Sequence, residues 1–163
     1  MQTDFYQRAH NNGAITIDTR VRAGETQAEL ADRFNRELNN WFQKNPDGVV
    51  VATVGIGSDG HVSGMMPFPE SPEKFSELFA STDETKLVVA YNATGKNPHP
   101  LRVTTTIHLM KKIHKAVVYV VGENKKDAVI KFMDSTAVPS QTPAVILKEI
   151  LAGVFLFTDT DIK

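Results

Sequence analysis

The chain has 163 residues, 41% of them apolar and 23% charged, with a formal net charge of -1, the make-up of one soluble domain able to bury a core. It holds no cysteine, which excludes disulfides, thiolate nucleophiles and cysteine-bound zinc, and its near-neutral charge leaves no general pull toward nucleic acid or an anionic membrane. No apolar run approaches the roughly 20 residues of a membrane span and Met1-Gln2-Thr3-Asp4 opens no signal peptide, so a cytoplasmic, single-domain protein over 1–163 is expected.

Phe5 to His10 reads as a short helix closed by the turn-forming Asn11-Asn12-Gly13. Ala14 to Asp18 alternates apolar and polar residues and predicts a short strand near an edge. Thr26-Gln27-Ala28-Glu29 is a capping box, and Leu30, Phe34, Leu38, Trp41 and Phe42 follow at helical spacing. This is the clearest helix in the sequence, with one face for packing and no chemical role. Asn45-Pro46-Asp47-Gly48 ends it and leads into Val49-Val50-Val51-Ala52-Thr53-Val54. So unbroken a run of small and β-branched residues predicts a strand buried on both faces, as in the middle of a parallel sheet.

Beyond the next loop, Ser71-Pro72-Glu73 starts a helix, with Ser as N-cap and Pro at the first helical position. Leu87 to Tyr91 predicts a buried strand, and Arg102 to Thr106 leads into a helix from Ile107 to Ile113. Ala116 to Val121 is a further apolar strand, followed by Gly122-Glu123-Asn124-Lys125-Lys126 at the start of a helix through Met133. A short helix near Ala144 to Ile150 and a strand at Val154 to Phe157 complete the pattern. Strands alternating with helices predict an α/β fold with an open, mostly parallel sheet and flanking helices.

The stretch richest in chemistry is Gly55-Ile56-Gly57-Ser58-Asp59-Gly60-His61, directly after the first long strand. Three glycines let the loop turn tightly and bring backbone N–H groups close to a ligand beyond the strand's carboxyl end, where open α/β sheets bind. The spacing matches G-x-G-x-x-G, yet Gly64 and Pro67 interrupt the helix a dinucleotide site needs, and the next strand ends in Asn92 instead of an acid. Asp59 and His61 admit two readings. Asp-Gly is good turn chemistry. Equally, imidazole suits general-base work, and a nearby carboxylate can orient it.

Lys125 sits at a helix start, where a cation opposes the helix dipole unless a bound anion reverses the sign. With Arg102 it could clamp a phosphate from neighbouring strand ends; a solvated lysine is the plain alternative. His10, His99, His108 and His114 show no ligand spacing, so neither metal nor cofactor is expected. Ser63 is one place off the nucleophile-elbow pattern.

Taken together, three motifs resemble the 6-phosphogluconolactonase/glucosamine-6-phosphate isomerase (deaminase) family. Gly55 to His61 resembles its G-x-G-x-D-G-H signature, Leu101-Arg102-Val103-Thr104-Thr105 its P-R-[IL]-T-[LF] segment, and Gly122-Glu123-Asn124-Lys125 its G-E-x-K turn. The resemblance implies a Rossmann-like sheet and metal-free action on six-carbon sugar phosphates. His61 would be the general base with Asp59 as its partner, Gly57 and Gly60 would help bind the substrate, and Arg102 and Lys125 would hold the phosphate. Deaminases of the family place a glutamate five residues after the histidine. Here Met66 stands there, followed by Pro67, which favours lactone hydrolysis. Deamination and non-catalytic sugar-phosphate binding are the alternatives. The motifs belong to the carboxyl-terminal part of longer family members. Weak turnover is therefore expected of this chain by itself, with an exposed sheet edge that favours a homo-oligomer or a separate amino-terminal half.

Overall fold

In the computed structural model, residues 4–150 and 153–161 are described; the polar start at Met1-Gln2-Thr3 lies outside them. Three strands, β1 (Val51–Val54), β4 (Lys115–Tyr119) and β5 (Val154–Phe157), form a parallel sheet in the order β1-β4-β5. Val54 lies opposite Val118, and Val118 opposite Leu156, so all three strands carry their carboxyl ends to one rim. Strands β2 (Val88–Asn92) and β3 (Leu101–Thr105) pair antiparallel in a separate ladder, with Tyr91 opposite Arg102. The fold is α/β, as the alternation predicts.

Side chains from alternate positions of the parallel sheet enter the main core. Ala52, Val54, Ala116, Val118, Val154 and Leu156 pack against buried residues that include Phe68, Phe75, Phe79, Met110 and Phe132. Helix α3 (Pro72–Phe79) contributes Phe75 and Phe79, whose rings meet edge to face at 5.0 Å. Helices α4 (Ile107–Lys111) and α5 (Lys126–Met133) add Ile107, Met110, Ala128, Val129 and Phe132. Each fully buried valine, isoleucine, methionine or phenylalanine among them stabilises the fold by about 1.5–3 kcal/mol relative to exposure.

The β2–β3 ladder serves two layers because its faces alternate. Val89 and Tyr91 enter the main core, whereas Val88, Ala90 and Val103 pack with Ala31, Phe34, Leu38 and Phe42 of α2 (Gln27–Lys44). The predicted capping box forms: Thr26 Oγ1 accepts the Glu29 backbone N–H, and the Glu29 carboxylate accepts the Thr26 backbone N–H. At the helix's other end Gly48 lets the chain pass beneath Trp41, since a Cβ there would stand 2.6 Å from the indole. Helix α1 (Asp4–Asn11) forms as predicted but buries none of its residues.

Four expectations change. Ala14 to Asp18 forms no strand. Instead the Arg33 guanidinium donates to the backbone carbonyls of Asp18 and Arg20, and no neighbouring strand pairs with the segment. The run Val49 to Val54 is not buried on both faces: Val51 is 61% exposed, because the main core packs on the other side of the sheet. Arg102 to Thr105, taken as the lead into a helix, is strand β3 itself, and the carboxyl-terminal helix is the 3-10 helix Pro143–Glu149.

Candidate functional site

Strand β1 delivers the loop Gly55 to His61 at the carboxyl rim of the parallel sheet. No helix opens at Gly60. The chain doubles back, with Ile56 bridging Val62 and the Gly57 N–H donating to the His61 carbonyl at 2.9 Å. Gly60 takes a φ of 87°, and its carbonyl accepts the Ala144 N–H at 3.0 Å. The positive φ and the Thr142 methyl, 3.0 Å from where a Cβ would be, both favour glycine. Gly57 has a different cause: a Cβ there would stand 2.1 Å from His61 Nδ1 and 2.7 Å from Asp59 Oδ1. The imidazole occupies the space that any side chain at position 57 would need.

Asp59 Oδ1 lies 2.6 Å from His61 Nδ1 and also accepts the His61 backbone N–H at 3.1 Å. Burial alone would raise the Asp59 pKa, but these two hydrogen bonds outweigh it and hold the carboxyl below its ordinary value. An ionised carboxylate accepts and cannot donate, so Nδ1 carries the hydrogen and the Nε2 lone pair stays free. His61 is 28% exposed on its side chain, open enough to meet a ligand.

His61 lines a cleft of about 390 Å³ with Thr53, Val54, Gly55, Ile56, Gly57, Ser63 and Lys125. Lys125 reaches it from the 3-10 turn Glu123–Lys125 after β4, immediately before α5. The turn opens on Gly122 with a φ of 108°, whose N–H is held by both oxygens of Asp159 at 3.0 Å. The topology thus brings an imidazole and an ammonium, 64 residues apart in sequence, to one cleft.

Arg102 does not line this cleft. It stands on β3 opposite Tyr91, on the same strand face as Thr104. Thr104 Oγ1 accepts the Gly64 N–H at 2.8 Å, so that face meets the segment just after His61. The Arg102 Nε is buried without a hydrogen-bond partner among the described residues. Asp59 and Gly60 do not line the cleft; the one holds His61 and the other turns the loop.

Two site residues, Tyr91 and Ser63, escaped the sequence reading. Tyr91 donates its hydroxyl hydrogen to the Gly64 carbonyl at 2.6 Å and accepts the Met66 N–H at 3.3 Å, tying down the chain that follows His61. Burial raises its pKa, with the Met66 hydrogen bond and the Arg102 charge opposing, so the hydroxyl remains a donor at neutral pH. In sequence Tyr91 is merely the last residue of a buried strand. Ser63 lines the cleft with a φ of 55°, a left-handed conformation costing roughly 1–2 kcal/mol for a residue with a Cβ, and nothing in its type announces that.

A family model described as glucosamine-6-phosphate isomerases/6-phosphogluconolactonase matches residues 3–153. The chain belongs to this family. A curated relative, the probable 6-phosphogluconolactonase of Dictyostelium discoideum, is 27% identical over 116 residues, which are 71% of this chain and 45% of that protein. The solved 6-phosphogluconolactonase of Thermotoga maritima superposes with a TM-score of 0.61 at 20% identity, covering 85% of this chain and 54% of that one. The enzyme from Plasmodium vivax gives a TM-score of 0.62 at 16% identity, covering 88% and 56%. These superpositions place the fold with the family's solved members. The chain spans about half the length of the relatives it matches.

Proposed function

We propose that this chain carries the general-base site of a 6-phosphogluconolactonase-like hydrolase. The observation that carries the reading is the Asp59–His61 contact of 2.6 Å in a cleft shared with Lys125. His61 Nε2 takes a proton from water as the water oxygen attacks the lactone carbonyl. The tetrahedral intermediate then collapses, the carbonyl–ring oxygen bond breaks, and the departing oxygen takes the proton back from the imidazolium. The product is the open-chain acid, and the base is regenerated. Positioned proton transfer of this kind contributes about 10²–10⁴-fold in rate.

Lys125 grips the substrate phosphate from within the cleft, holding the lactone in register with the base. Arg102 adds a second positive charge at a distance, from β3 outside the cleft, with its Nε buried. Gly57 and Gly60 keep the loop's backbone close to the sugar. Hydrolysis is favoured over glucosamine-6-phosphate isomerisation because Met66, five residues after His61, is 1% exposed and packed in the core. No carboxylate stands at that place to orient the ring from its other side.

Turnover of 6-phosphogluconolactone by the 163-residue chain, measured beside calorimetric binding of 6-phosphogluconate, tests the reading. The chain alone is expected to turn over slowly, and His61→Ala is expected to abolish that turnover while sparing binding. Binding without turnover in the unsubstituted chain would instead favour a sugar-phosphate-binding module. Turnover unchanged in His61→Ala would overturn the role given to the imidazole.

A further inference from the structure

The turn that carries Lys125 hangs from a glycine. Gly122 stands at φ 108° and ψ 144°, close to a backbone region that essentially only glycine enters. Glycine reaches other conformations about as readily, so its own torsions do little to fix where the turn points. Hydrogen bonds on either side of it do that. The Gly122 carbonyl accepts the Lys125 N–H at 2.8 Å, closing the turn on itself. The Gly122 N–H donates to both oxygens of Asp159, each at 3.0 Å, and so ties the turn to the chain that leaves β5.

Strand register puts Asp159 there. Strands β4 and β5 pair as far as Tyr119 and Phe157, and beyond them the Val120 N–H still donates to the Phe157 carbonyl at 2.9 Å. In a parallel ladder the next rung lies two residues further along both strands, from the Gly122 N–H to the backbone carbonyl of residue 159. The Asp159 side chain takes that hydrogen bond instead. A carboxylate is a stronger acceptor than a carbonyl, and a side-chain rung leaves the backbone on both sides free to depart from the sheet.

The cleft feels this contact through one residue. Of Gly122 to Lys126 only Lys125 lines it, half-buried where Lys126 is exposed. The turn sets the direction in which the Lys125 side chain leaves the backbone, and a four-carbon stem magnifies any rotation of the turn at its ammonium end.

We propose that Asp159 is a positioning residue, whose carboxylate holds the Gly122 N–H and thereby aims Lys125 into the cleft. Asp159 does not line the cleft and touches no substrate in this role. The role rests on the reading of Lys125 as the phosphate grip. A carboxylate that only fastened the tail would lower Tm and leave substrate affinity alone.

Steady-state kinetics on the unsubstituted chain, Asp159→Ala, Asp159→Asn, Lys125→Ala and the double variant Lys125→Ala/Asp159→Ala tests the proposal. Asp159 is exposed, so its variants are expected to fold. Asp159→Ala is expected to raise KM for 6-phosphogluconolactone by about three- to tenfold with the smaller change in kcat. Asp159→Asn keeps one acceptor oxygen and is expected to recover most of the loss. The double variant is expected to have the KM of Lys125→Ala, because Asp159 acts only through the lysine. The calorimetric Kd for 6-phosphogluconate is expected to move in parallel. A KM and Kd that stay put in Asp159→Ala overturn the proposal, and so does a rise of the same factor with and without Lys125. Hydrogen exchange at the Gly122 amide reads the contact without turnover. It is expected to quicken in Asp159→Ala, and an unchanged rate in the folded variant also overturns the proposal. If the amide responds while Lys125→Ala leaves KM and Kd unchanged, the contact stands but the phosphate grip fails, and the positioning role falls with it.

Discussion

Asp59 Oδ1 holds His61 twice, accepting the ring Nδ1–H at 2.6 Å and the backbone N–H at 3.1 Å, so one carboxylate sets both where the imidazole sits and which nitrogen faces the cleft. Replacing Asp59 by Asn puts an amide where the acceptor stood. The ring's tautomer is then no longer imposed, and kcat is expected to fall roughly a hundredfold or more. Steady-state kinetics checks this, with KM for 6-phosphogluconolactone changing little because the phosphate grip proposed for Lys125 is a separate group.

Gly57→Ala separates position from chemistry. The added methyl would stand 2.1 Å from His61 Nδ1 and 2.7 Å from Asp59 Oδ1, so the ring must leave its place. Turnover is expected to fall by at least tenfold, while the melting temperature moves by only a few degrees because the partly exposed ring can swing toward solvent. Kinetics and a thermal melt on the same preparation decide the matter.

Tyr91→Phe leaves the Gly64 carbonyl and the Met66 N–H without their partner. Leaving buried polar groups unsatisfied costs about 1–3 kcal/mol. In a domain of this size that corresponds to a fall in Tm of roughly 2–12 °C. Denaturant unfolding measures the loss directly, and an unchanged midpoint would show that the hydroxyl's two hydrogen bonds are dispensable.

Glu25 and Arg33 form a partly buried pair through Nε at 2.7 Å, and Arg33 also holds the carbonyls of Asp18 and Arg20. The Arg33 hydrogen bonds, helped by the Arg22 backbone N–H, lower the Glu25 pKa from 4.5 to about 2. The folded value lies below the unfolded one, so the pair's stabilisation is complete above about pH 4.5 and drains away as pH falls through about 2. Glu25→Gln is expected to lower Tm at pH 7 and to flatten the acid side of the stability profile between those two values. Melts from pH 2 to 7 check it.

Much of this architecture was legible because local signals and tertiary packing agree. The capping box at Thr26, the apolar spacing through Leu38, and the valine-rich run of Ala116 to Val121 each specify an element that then finds a partner layer. The glycine loop was legible for a related reason, since Gly57 is demanded by the imidazole it lies beneath. What misled was any inference that needed a neighbour. Ala14 to Asp18 alternates like a strand, yet strand pattern without a pairing edge leaves extended chain. The run Val49 to Val54 carries the composition of a doubly covered strand, but composition cannot say which polypeptide covers the second face. Tyr91 and Ser63 were invisible as site residues because their roles depend on where β2 and the doubled-back loop meet in space.

The most direct measurement is kcat and KM for 6-phosphogluconolactone in the unsubstituted chain, His61→Ala and Lys125→Ala, taken side by side. With the imidazole as base and the lysine as phosphate grip, His61→Ala loses kcat by roughly 10²–10⁴-fold at nearly constant KM. Lys125→Ala raises KM with the smaller effect on kcat. A His61→Ala chain that keeps its kcat, or a Lys125→Ala chain whose KM does not move, would contradict a shared cleft in which these two residues divide the work.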